Sequence, residues 1–189
     1  MSKKKYQKPE KHPSPAAPAV ALPDRRPVWR FIAGFVLLIV AFYFLYLMPF
    51  FNQYVLEPYV NAQAQAAAFV LRLFGSDTHA MGTDLMGPGI TLTVKKGCDG
   101  MEATALYLIG VLLMPFSLRS KGWGLAGGMM ILILLNLLRI MALYLSQRHW
   151  PAAFEWLHLH GGFALFTTVA VFMWIVWANW AMRREHAAS

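Results

Sequence analysis

Four long apolar runs dominate this chain, at residues 28–48, 101–118, 122–146 and 160–182, each about the length of a bilayer crossing. A helix needs roughly 20 consecutive apolar residues to cross membrane hydrocarbon, where each backbone polar group must find its partner inside the protein. Only 14% of the 189 residues are charged, against about 25% in an ordinary soluble domain. The expected fold is therefore an all-α integral membrane protein, a bundle of four transmembrane helices.

The formal charge of +8 would suit a nucleic-acid partner, but the basic residues sit between the apolar runs rather than along one face of a helix. That distribution follows the positive-inside rule. Clusters at residues 3–26, 119–121 and 183–184 all become cytoplasmic if the N-terminus is inside, and the short tail 183–189 follows them. The outer loop after the third run sets Arg148 against Glu155. Residues 1–27 hold Lys3, Lys4, Lys5, Lys8, Lys11, Arg25 and Arg26 among prolines, a composition that resists folding and predicts a disordered tail. The first run exceeds the ~7–15 residues of a signal-peptide core. Ala62-Gln63-Ala64 lies well beyond it, so it reads as an uncleaved first helix.

Residues 49–97 form an extracytoplasmic segment too small for a core of its own. Ala62 to Phe74 has the pattern of an amphipathic surface helix, Gly75 to Gly89 is turn-rich, and Ile90 to Val94 alternates like a short strand.

Three places in the chain carry chemistry. Cys98, the single cysteine, stands in Gly97-Cys98-Asp99-Gly100 at the start of the second helix. Asp99 and Glu102 read as a capping box there, and the helix dipole with Lys95 and Lys96 predicts a lowered thiol pKa. An inert buried cysteine is the plain alternative. Arg139 interrupts the third run, with Asn136 one turn before it on the same face. An arginine within hydrocarbon costs at least ~2.5–3.5 kcal/mol, so it is expected to face the interior and a partner rather than snorkel outward. His158 and His160 open the fourth run, with Glu155 one turn before His158 to orient its imidazole. Here an interfacial belt with Trp150 and Trp156 is the rival reading. A zinc site on Cys98, His158 and His160 lacks any ligand-spacing signature. One cysteine cannot cycle a disulfide, which excludes a thiol oxidoreductase.

Gly-Cys-Asp-Gly opening a helix, Asn-x-x-Arg-Ile from Asn136 to Ile140, and a histidine before the last apolar run together resemble the exosortase/archaeosortase family. The compact size is similar to the type called exosortase H, and the resemblance covers roughly residues 30–182. The family more often shows Ser or Asn where this chain has Asp99, and His160 competes with His158 for one position. The resemblance implies a cysteine endopeptidase or transpeptidase in a bacterial inner membrane, facing the periplasm, with Cys98 as nucleophile, Arg139 as essential arginine and His158 as the histidine. It implies substrates that end in a sorting signal, namely a short motif, one transmembrane helix and a basic tail. It calls for no metal and no cofactor. An edge of the strand at residues 90–94 is a candidate for pairing with an extended substrate segment. Two other classes stand beside the enzyme: a membrane scaffold subunit in which Arg139 serves packing, and a small transporter in which Arg139 contacts an anion.

Overall fold

The computed structural model describes residues 26–156, 158 and 164–187. Almost all of the expected basic tail, and His160, lie outside that range.

Helix α1 (Arg26–Leu47) is apolar on all sides, and Leu37, Phe44 and Leu47 on it stay largely exposed. A helix with no polar face needs an apolar medium around it. Pro49 then starts the short helix α2 (Pro49–Phe51). A π-helical turn over Asn52–Leu56 carries the chain into α3 (Glu57–Leu73). Two later helices are long: α5 (Leu118–His149) and α7 (Phe166–His186). Between them lies α6 (Pro151–Trp156), and before them α4 (Met101–Leu113).

Among the described residues two helices are long and apolar enough to cross a bilayer, at Val28–Leu47 and Leu118–His149. The 32 residues of α5 extend about 48 Å at 1.5 Å per residue, well beyond ~30 Å of hydrocarbon. The surplus lets its last turns reach the segment at residues 49–97. Arg119 to Lys121, expected in a loop, instead form its first turn, where the Ser117 side chain caps Ser120 N. Helix α4 has 13 residues, about 20 Å of rise, and stops short of the expected Leu118. It is nonetheless the centre of the bundle, with α1, α5 and α7 all packed on it. Gly128 of α5 permits that closeness, because a Cβ there would run into the Tyr107 ring of α4. Helix α7 runs on past residue 182 through Arg183 and Arg184.

The segment at residues 49–97 corrects the all-α expectation. The stretch read as turn-rich folds into β1 (His79–Met81) and β2 (Asp84–Gly87), which pair with β3 (Ile90–Thr93) in an antiparallel meander. Ala80 faces Leu85, and Leu85 faces Leu92. The reason lies outside the local sequence. Strands of three and four residues hold because Leu85, Leu92 and Val94 are buried against Ala67, Ala68 and Leu71 of α3 and Ile140, Leu143 and Tyr144 of α5. The helix expected from Ala62 begins at Glu57, and its face Val60, Ala64, Ala67, Ala68 and Leu71 is covered by the sheet and α5 rather than lying on a surface. A second core, within the bundle, joins Tyr107 and Val111 to Leu132, Ala170 and Trp177.

Candidate active site

The segment before α4 is shaped by its two glycines. Gly97 has φ +86° and Gly100 φ +73°, left-handed conformations that side chains disfavour. At Gly100 a Cβ would also lie 2.9 Å from Asn136 Oδ1 and 3.1 Å from the Phe166 ring. The Gly-Cys-Asp-Gly pattern is thus a tight backbone hook, closed by Cys98 N donating to Lys95 O at 2.9 Å. The hook turns the thiol, half-buried, toward α5 and the segment after α6.

Two groups meet the sulfur there. Arg139 Nη2 lies 3.7 Å from Cys98 Sγ and donates to Gly97 O at 3.2 Å, while its guanidinium stands over the Phe166 ring at 5.9 Å. His158 Nδ1 lies 3.8 Å from the same sulfur. Phe154 stacks on the imidazole with centroids 5.5 Å apart. Among the described residues Glu155 makes no hydrogen bond to it. Arg139 Nε is buried and, among the described residues, has no acceptor. Cys98, Arg139 and His158 line a cleft of about 460 Å³ with Thr91, Thr93 and Lys96. Among the described residues no group of three or more His, Cys, Asp or Glu side chains is placed to hold a metal.

The family model of the transmembrane exosortases matches residues 20–175, most of the chain. The chain belongs to this family. Comparison with curated proteins and with solved structures found no match. Membership carries the general role of a membrane cysteine protease or transpeptidase that acts on proteins bearing sorting signals.

In this exosortase the residue after the cysteine is the structural anchor of the hook. Asp99 is almost fully buried; Oδ1 accepts from Met101 N at 2.8 Å and Oδ2 from Tyr46 OH at 2.8 Å. Its backbone carbonyl accepts from Asn136 Nδ2 at 2.9 Å. The capping box is therefore half right. Asp99 reaches the helix N-terminus, but Glu102 turns instead to Tyr43 OH, 3.4 Å away. Asn136 is a clamp on the hook rather than a contact to the sulfur.

The exosortase thiol also departs from the expected acidity. Burial pushes the Cys98 pKa up, Arg139 pulls it down, and the Asp99 carboxylate pushes it up again, for a net rise above the ordinary value. The reason is geometric. Lys96 is drawn aside, donating to Tyr46 O at 3.3 Å over the Tyr46 ring. The N-terminal donor of α4 at Met101 is already taken by Asp99. Sequence reasoning missed Tyr46 and Phe154. Tyr46 left a trace as a hydroxyl at the end of an apolar run, whereas Phe154 left none.

Proposed function

We propose that this exosortase is a cysteine endopeptidase and transpeptidase that cleaves C-terminal sorting signals of exported proteins through a thioester on Cys98. The observation that carries the reading is that a guanidinium and an imidazole from separate segments both lie within 4 Å of one sulfur. With the thiol held neutral by burial, His158 takes its proton as Sγ attacks the scissile carbonyl. The oxyanion that forms is stabilised by the Arg139 guanidinium, whose Nη2 already reaches the sulfur; one such donor is commonly worth ~2.7–4 kcal/mol. The C–N bond then breaks, the imidazolium returns the proton to the leaving amine, and the thioester remains. Water or an incoming amine attacks it, giving its own proton to His158 and restoring the thiol. The chain's own groups suffice for each step without metal or cofactor.

The same proposal gives four crossings within a membrane domain of residues 28–182, in a bacterial inner membrane with both termini cytoplasmic. The support is polarity. Ser117 N donates to Glu185 Oε1 at 2.6 Å and Trp177 Nε1 to Ser120 O at 3.2 Å, so the clusters at 119–121 and 183–184 sit together at one end. Cys98, the end of α1 and the last turns of α5 gather at the other. The test is processing of a co-expressed tagged protein with a sorting signal by Cys98→Ser, Arg139→Lys and His158→Ala beside His160→Ala. All but His160→Ala are expected to lose processing while remaining inserted, the lysine because an ammonium lacks the guanidinium fork. Normal processing by Cys98→Ser would show a scaffold or transport role instead.

A further inference from the structure

The sheet ends on β3, and β3 ends beside the thiol. In the order β1-β2-β3 the strand has β2 on one side and, among the described residues, no strand on the other. Antiparallel ladders direct the backbone groups of alternate residues to opposite sides. Val94 N donates to Thr83 O at 3.0 Å, one step beyond the pair Thr93 and Asp84, so residues 90, 92 and 94 face β2. The N–H and C=O of Thr91 and Thr93 therefore face the open edge, where, among the described residues, they have no partner. Both threonines are exposed while Leu92 between them is buried, and all three line the same cleft as Cys98, Arg139 and His158.

Resting on the protease reading above, we propose that the open edge of β3 is the site where the substrate's extended segment beside the scissile bond docks, as an added strand held by the main chain of Thr91 and Thr93. An extended peptide rises ~3.3 Å per residue, so about four residues pair with β3 and the next enter the hook at Cys98. Recognition of this kind reads backbone shape: alternate N–H groups must be free, and side chains are tolerated broadly. The occupant is a substrate segment rather than β3 of a second copy. The edge opens into the same cleft as Cys98, Arg139 and His158, and Lys95 and Lys96 directly after the strand are charges of the kind by which edges resist self-pairing.

The test uses the full-length protein in detergent and reads alkylation of Cys98 by intact mass. The probe is an N-acetyl hexapeptide chloromethyl ketone of alternating valine and serine, compared with its analogue N-methylated at alternate amides. The unmodified peptide is expected to react about tenfold faster, the effect of two backbone hydrogen bonds. Thr91→Pro, which removes an outward donor, is expected to abolish that preference; Thr91→Ala, which keeps the N–H, is expected to preserve it. Iodoacetamide is expected to label all three proteins equally, reporting an intact thiol. Equal rates for the two peptides on the wild-type chain would overturn the proposal without touching the role of Cys98. A change of oligomeric state in Thr91→Pro would overturn it too, by assigning the edge to a second copy. Failure of the protease reading shows elsewhere, as normal processing by Cys98→Ser.

Discussion

Two residues without reactive side chains set the conditions for the reactive one. Gly100 combines a left-handed backbone with a neighbour, Asn136, that leaves no room for a Cβ. Gly100→Ala is therefore expected to cost about 1–2 kcal/mol from backbone handedness alone. It should also lower substrate processing more than tenfold by displacing Cys98; thermal unfolding in detergent and the processing assay measure the two effects. The thiol itself is held up by burial and drawn down by Arg139. Only the thiolate is alkylated, so iodoacetamide labelling of Cys98 should climb on the alkaline side of the curve for an ordinary cysteine. Arg139→Met removes the influence that, among the described residues, lowers this pKa, so its rate profile is expected to move further to high pH. Superimposed profiles would show that the guanidinium does not act on the sulfur.

Between elements, the hook is tied to α1 and α5 rather than to its own strand. Tyr46 near the end of α1 donates to Asp99, and Asn136 of α5 holds the carbonyl of the same residue. Tyr46→Phe leaves a buried carboxyl oxygen short of a donor, a loss of about 1–3 kcal/mol. The catalytic effect is expected to appear mainly in kcat, because Tyr46 positions the hook and lies outside the cleft lining. An unchanged kcat with raised KM would place Tyr46 in substrate binding instead. The three short strands belong to the same level of organisation. Isolated hairpins of this length are marginal in water, and these persist because α3 and α5 cover their inner face.

For the whole molecule, the two charged ends make opposite demands on the membrane. Reporter fusions at residue 189 and within residues 75–78 test the orientation: the first is expected to be active only in the cytoplasm, the second only outside. Periplasmic activity of the C-terminal fusion would overturn the orientation, because it would put Cys98, at the opposite end of the bundle, on the cytoplasmic side and away from exported proteins. The large exposed apolar side chains on α1, α5 and α7, among them Leu37, Leu138 and Phe172, are the surface that lipid would cover.

Hydropathy, the basic clusters and three short motifs were legible in the chain before any fold was known, because each follows from local composition or from helical spacing. They gave the membrane class, the family, and Cys98, Arg139 and His158 as the residues of interest. The sheet was not legible beyond β3, since its strands are stabilised by distant partners in α3 and α5. Nor was the direction of the cysteine pKa, because the sequence places Lys95 and Lys96 near Cys98 but does not show that Lys96 turns to Tyr46 and that Asp99 occupies the helix end. Short-range pattern names the groups; which of them come within a few ångströms is decided by long-range packing that burial enforces.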